Sequence, residues 1–322
     1  MRTTTSDNLA FVSKIAAKIV EEVRGLGTLQ GGNLFAKSTT SSLQMDYHTR
    51  TGIGQGSYLP EMVDPPDQNP GEGHSKSIRL STYGNAIGFS ERVKSMMPGE
   101  IKRDQGYLKD SWVETLEMWR YVFYSEALSG TTPSVQNGRQ LIDQNSYDGV
   151  TYFHAAHTYK GSSAVNSNLS ATVRTMSVSA LVSMAQQARG WVDYNGFPLR
   201  TGFKSWVIAK NLIEDANVYV RTMKDPLTAN NAINAMQFAD NGSPATTLEV
   251  WDMLPDDHFM LRNKLGSSMP GFVEIVLKGE DYKQRTYMVT NSARAYKVDW
   301  QTTRFIGGIH WAEFLTHRAA AA

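Results

Sequence analysis

The sequence predicts an α+β fold: a compact body preceded by two elements that stand apart from its core. Three observations carry this reading. Residues 107–128 form one broad, tryptophan-containing apolar stripe at helical spacing. From about 131 onward, a strand–helix–strand core is followed by successive strand candidates enriched in β-branched and aromatic residues. Ahead of both lie a short amphipathic segment and a Gly- and Pro-rich two-stranded stretch. Neither has enough apolar residues to build a core of its own.

The elements follow in chain order. Residues 8–24 read as a helix, with Leu9, Val12, Ile15, Ala16, Ile19 and Val23 at three- and four-residue steps; Ser6 or Asp7 caps its start, and Gly25 and Gly27 end it. The stretch TLQGGNLFAKSTTSS that follows is polar and Gly-rich, and reads as a linker without a core-forming period. Residues 43–59 start as a strand that loses its alternation at Gly52, Gly54 and Gly56. VDPPDQNPGEGHS is a concentrated turn signal, because Pro65, Pro66, Pro70, Gly71 and Gly73 do not fit together in regular structure. KSIRLSTYGNAIGFS returns as strand, with Ile78, Leu80, Ile87 and Phe89 as apolar markers. Such a pair of strands would reach roughly 30 Å and, being marginal alone, should lie on another surface.

The helix over 107–128 places Leu108, Trp112, Leu116, Trp119, Phe123 and Ala127 on its core face and Lys109, Glu117 and Arg120 on the opposite one; Asp104 is a possible cap and Gly130 a stop. A second helix opens near Ser177, carries Val178, Leu181, Val182, Ala185 and Ala188 on one face, and ends by Asn195-Gly196. KSWVIA (204–209) is a short buried strand, with a helix over 210–222 directly after it. LEVWDML, HFMLRN, GFVEIVL, RTYMVTNSARAYKVDW and TTRFIGGIHWAEF are the strand candidates that complete the body.

Composition narrows the function classes. The chain has 322 residues, 41% of them hydrophobic, enough to bury about three quarters of its unfolded surface. Its 32 basic and 31 acidic residues leave a formal charge of +1, against tight nucleic-acid binding. The absence of cysteine excludes disulfides, zinc–thiolate sites and cysteine nucleophiles. No run approaches the roughly 20 apolar residues of a membrane span. Lys14, Lys18, Glu21 and Glu22 interrupt the leading apolar pattern, so no export signal is expected.

With these segments in place, the chain resembles the major capsid proteins of tailed bacteriophages, those with the Hong Kong 97 type fold, Mu-like head subunits among them. The resemblance rests on FHAAHTYKGSSAVNSNLSATVRTMSVSALVSMAQQARGWVDYNGFPL, then KSWVIAKNLIEDANVYVRT, then NNAINAM, together with the segment order. It implies an N-terminal arm (1–41), an extended β-hairpin loop (42–92) and a peripheral domain (93–164) whose spine helix is 107–128. An axial domain (165–285) and a C-terminal part of the peripheral domain (286–322) follow. The implied function is a non-enzymatic subunit that assembles into pentamers and hexamers of an icosahedral shell around phage DNA.

The partners implied are other copies of the chain, separate scaffolding, portal and decoration proteins, and double-stranded DNA contacted without sequence preference; no membrane and no cofactor enter. The place implied is the virion capsid, assembled in the host cytoplasm. The arm's Val12, Ile15 and Ile19 and the loop's Tyr58, Leu59 and Met62 are the expected contacts between subunits. The arm is too short to include a fused scaffolding domain. Some members of the family cross-link a lysine to an asparagine; Lys76 and Asn291 are two of many such residues here, and no cross-link is expected.

Two rival readings stand beside it. A nanocompartment shell of the same fold differs in cargo, not in subunit physics. A metal-dependent hydrolase would use His154 and His157, an H-x-x-H pair. That pair lacks the H-E-x-x-H pattern and a third ligand, so local packing is the preferred reading. Asp256-Asp257-His258 follows Pro255 and reads as a solvated turn rather than an acid/base cluster. GIGQG (52–56) lacks the context and the G-K-[ST] ending of a phosphate loop. No catalytic, cofactor-binding or metal-ligating residue is assigned.

Overall fold

The computed structural model describes residues 30–50, 71–90, 98–130, 135–136, 139–140, 142–170, 175–199, 202–222, 247–264, 270–289 and 295–317. Its strands are β1 (Ala36–Thr40), β2 (Gln44–Arg50), β3 (Glu72–Arg79), β4 (Ser81–Ser90), β5 (Val135–Gln136), β6 (Arg139–Gln140), β7 (His157–Thr158), β8 (Val165–Asn166), β9 (Leu169–Ser170), β10 (Gly202–Ile208), β11 (Leu248–Val250), β12 (Phe259–Lys264), β13 (Phe272–Leu277), β14 (Lys283–Val289), β15 (Ala295–Gly308) and β16 (Phe314–His317). The helices are α1 (Pro98–Ser129), α2 (Val178–Arg189) and α3 (Ile213–Arg221). The chain divides into two compact units: Met1–Gln44, Arg79–Val122 and Glu274–Ile306 form the first, and Met45–Ile78, Phe123–Val273 and Gly307–Ala322 the second.

The first unit is built on a five-stranded sheet, order β1-β13-β15-β14 with β4 paired to β15. The β4–β15 register runs antiparallel from Ser81 opposite Arg304 to Ser90 opposite Ala295. Alternation then assigns the faces. Tyr83 meets Trp119 of α1 at a tilt with ring centroids 5.3 Å apart, and Asn85 donates to Ser111 of α1. The same face carries Trp300, opposite Asn85, and Tyr282, which meets Trp112 edge-on at 5.4 Å. The stripe predicted for this helix is therefore the one that packs, with Leu108, Trp112 and Leu116 buried.

The second unit holds another five-stranded sheet, order β11-β10-β12-β16-β9. Its core gathers α2, α3 and the inward residues Trp206, Ile208, Phe259, Leu261, Trp311 and Leu315. Ser177 caps α2 by accepting the Ala180 amide, as its position before the apolar run predicts. An aromatic cluster lies nearby: Phe123 meets Phe272 edge-on at 5.1 Å, and Phe272 stacks on Phe314 at 4.0 Å. Gly308 is required there, since a Cβ would overlap the Tyr152 ring.

Several sequence expectations are corrected. The long helix begins at Pro98, well before 107; proline suits a first helical turn, where its missing N–H costs nothing. Its end at Gly130 holds, with φ +64° and the Gly130 amide donating to the Glu126 carbonyl. Arg120, expected on the outer face, is buried. The polar linker contains β1, and Leu34 and Phe35 just before it are fully packed. Strand β3 starts at Glu72, inside the expected turn, and the returning strand divides at Leu80, so that β4 pairs with β15 while β3 pairs with β2. Helix α2 stops at Gly190 rather than at Asn195-Gly196, which instead forms a separate turn closed by the Asp193 carboxylate. The last strand, β16, pairs with β12 and β9 in the second sheet. Residues 8–24, 52–56 and 225–236 lie outside the described residues.

Candidate functional site

The expected subunit contacts, Val12, Ile15, Ile19, Tyr58, Leu59 and Met62, all lie outside the described residues. What the structure places are the described residues that flank those two segments in sequence, called their roots below. The root after residue 30 belongs to the first unit. A 3-10 turn, Gln30–Asn33, leads into buried Leu34 and Phe35, and the Arg120 guanidinium lies over the Phe35 ring at 5.8 Å.

Arg120 is one end of a buried ionic row. Its Nη2 donates to Glu274 at 2.6 Å and its Nη1 to Glu117 at 2.6 Å. Glu274, on central strand β13, also accepts from Arg304 of β15. Arg304 in turn donates to Asp281 and Thr302, and its guanidinium lies over Trp112. Burial alone would push the Glu274 carboxyl up; Arg120 and Arg304 outweigh it and hold it below the usual carboxylate range. No short-range pattern announces this row, because Glu274 stands 154 residues from Arg120.

The root of the two-stranded stretch belongs to the second unit. In β3, Ile78 and Lys76 are buried while their neighbours are open. The Lys76 ammonium pairs with Asp143 at 2.9 Å and donates to the Asn145 and Gly308 carbonyls. Burial pulls the Lys76 amine down from the ordinary lysine value, and Asp143 pulls it back only in part. All three donor positions of this ammonium are used, so Lys76 is not exposed for a bond to a neighbour. Replacing Lys76 with Met would leave two carbonyls without their donor and Asp143 without its partner. The expected loss is about 2–4 kcal/mol, read as a lower midpoint in chemical denaturation; an unchanged midpoint would remove Lys76 as an anchor.

The H-x-x-H pair resolves into packing. His157 is fully buried, stacked on Trp311 at 5.0 Å. Its Nδ1 lies 2.8 Å from the Asp148 carboxylate, and its Nε2 lies 3.0 Å from both the Tyr152 carbonyl and Asn168 Oδ1. Both ring nitrogens are thus committed to protein atoms. His154 Nδ1 accepts the Ala156 amide in a local turn. Asp257, at φ +64°, exchanges hydrogen bonds with the Asn211 side chain, and His258 lies against Tyr124 at 3.0 Å. Among the described residues no three His, Asp or Glu side chains converge as metal ligands.

No protein-family model matches the chain, and no curated protein matches it in sequence. Solved structures match over nearly its whole length. The capsid structure of Cyanophage P-SCSP1u aligns at a TM-score of 0.53 and 10% identity, over 90% of this chain and 87% of that one. A chain of Mycobacterium phage Patience aligns at 0.51 and 10% identity, over 99% and 90%. The capsid of Ralstonia phage GP4 aligns at 0.50 and 12% identity, over 92% and 89%. At such identities the likeness speaks for backbone architecture, and it extends from the first sheet through the second. The chain has the Hong Kong 97 type fold of tailed-phage capsid chains.

Proposed function

We propose that this chain is a major capsid subunit that assembles with copies of itself into pentamers and hexamers of a closed icosahedral shell around double-stranded DNA. The observation that carries the reading is the alignment of about nine tenths of this chain with about nine tenths of the Cyanophage P-SCSP1u and Ralstonia phage GP4 capsid chains. The arm through Val12, Ile15 and Ile19 and the loop through Tyr58, Leu59 and Met62 hold neighbouring copies. The residues that flank them support this: Leu34 and Phe35 after the arm, and Lys76 and Ile78 after the loop, are buried, so a contact made farther along is transmitted to a packed element. Strength comes from repetition, because each subunit is held by several neighbours at once. A near-neutral wall encloses DNA without adhering tightly to it. Separate scaffolding, portal and decoration proteins complete the particle, which assembles in the host cytoplasm.

Negative-stain microscopy and a mass measurement of the purified chain test the proposal. Closed particles in the megadalton range are expected. A monomer carrying stoichiometric zinc would make it a hydrolase instead, and particles filled with protein cargo would make it a nanocompartment. A narrower test replaces residues 51–70 with a short Gly-Ser turn. Helical content should stay unchanged, since the Lys76 and Ile78 root remains, while particles become less resistant to denaturant. Unfolding of the isolated variant would reject the assignment of this segment to contacts between copies.

A further inference from the structure

The segment from His310 to His317 is pinned at both ends by histidines. At its start, His310 closes the 3-10 turn Trp311–Glu313 by accepting the Ala312 amide at Nδ1, 3.2 Å away. A proton on Nδ1 would set donor against donor and open that turn. The groups facing His310 are the His157 ring with its Asp148 partner, the Tyr147 ring at 5.2 Å, and the Trp311 ring. Lys76, paired with Asp143, donates to the carbonyl of Gly308, just before this segment. Burial first, then His157, hold His310 down to about 4, with Asp148 opposing.

At the other end, the His317 ring lies 4.9 Å from His258 and 4.8 Å from Phe259. Tyr124 links His258 to the segment: its hydroxyl is 3.0 Å from His258 Nδ1 and 3.4 Å from Thr316 Oγ1. Asp257 is the nearby carboxylate and is bonded to Asn211. Burial first, then His317, hold His258 down to about 4, with Asp257 opposing. Between the two ends, Glu313 pairs with Arg262 at 2.9 Å and accepts the Gly271 amide. Trp311, Phe314 and Leu315 fill the core.

We infer that residues 310–317 form an acid-released clasp, closed while His310 and His258 are neutral and loosened when both gain a proton. The proposal goes beyond shell assembly and is a property of the folded second unit, so its test needs no particles. The sign follows from the direction of the shifts. Both folded values lie below the ordinary histidine value, so the stabilisation is complete above about pH 6.5 and declines as pH falls toward about 4. Between about pH 6.5 and about pH 5, each histidine favours the open segment by up to about thirtyfold.

Hydrogen exchange on the full chain at about pH 7.5 and about pH 5, corrected for the intrinsic effect of pH, tests this. Protection of residues 311–317 should fall by at least about tenfold relative to β10. Equal behaviour of the two segments at both pH values would overturn the proposal. The double variant His310→Asn, His258→Gln keeps an acceptor for the Ala312 amide and a hydrogen-bonding group for the Tyr124 hydroxyl without titrating. It should abolish the acid response, and a response that persisted in it would also overturn the proposal. If that variant does not fold, the comparison on the natural chain decides by itself.

Discussion

Removing residues 1–29 is expected to leave a folded protein that no longer closes into particles. The truncation spares Leu34 and Phe35, whose burial ties the chain to the first unit, so the melting temperature should stay close to that of the full chain, and the helical signal should fall only by the share of the helix expected over 8–24. What is lost is the apolar face of Val12, Ile15 and Ile19. Burying such side chains contributes about 1.5–3 kcal/mol each. Even about 3 kcal/mol per subunit raises the concentration needed for assembly by about a hundredfold. Electron microscopy of the truncated chain, beside a size measurement, reads the outcome. Normal particles would show that the arm is dispensable and that the body alone holds the shell.

Replacing Glu274 with Ala is expected to have the largest effect on folding. Arg120 and Arg304 would then face each other, each 1% exposed, across a missing carboxylate. Removing one partner from a buried ion pair costs about 3–5 kcal/mol, a large part of the about 5–15 kcal/mol that holds a typical protein together. Loss of soluble protein, or a melting temperature lower by about 10 °C, should follow. Glu274→Gln, which keeps the hydrogen bonds but not the charge, should fall between. The natural chain carries a related acid sensitivity. The folded Glu274 carboxyl lies below its ordinary value, so its contribution is complete above about pH 4.5 and is lost as pH drops through the folded value. An alanine variant that melts with the natural chain would mean that the arginine row adds nothing to stability.

Much of the architecture was legible because it is written in short-range pattern. The stripe from Leu108 to Ala127, the stop at Gly130, the helix start at Ser177 and the buried run over 204–209 need only neighbours a few residues away. What stayed hidden depends on distant partners. Arg120 looked like an outer-face charge until Glu274 arrived from β13. Nothing in the sequence singled out Lys76, which the Asn145 and Gly308 carbonyls and Asp143 surround. Leu34 and Phe35 are too few to register as periodicity, yet both are buried, Phe35 beneath the Arg120 guanidinium of α1. The helix start at Pro98 was obscured by Gly99 and Gly106, which weaken the helical signal. The expected contacts Val12, Ile15, Ile19, Tyr58, Leu59 and Met62 lie outside the described residues. The H-x-x-H pair was weighed as packing, and His157 is indeed bonded on both nitrogens. The anchoring residues at the two roots were not identified, since a buried salt link leaves no local signature.

The Lys76 anchor has an evolutionary and practical corollary. A strand clamped at its base by an ammonium and three oxygen acceptors makes the body indifferent to what is written farther out. If residues 51–70 meet neighbouring copies as proposed, their sequence would be constrained by those copies rather than by the fold of the body, and a foreign epitope there would be tested by assembly alone. The same clamp marks where a peptide graft should be inserted: distal to Thr49 and Gly73, leaving β3 from Glu72 onward untouched.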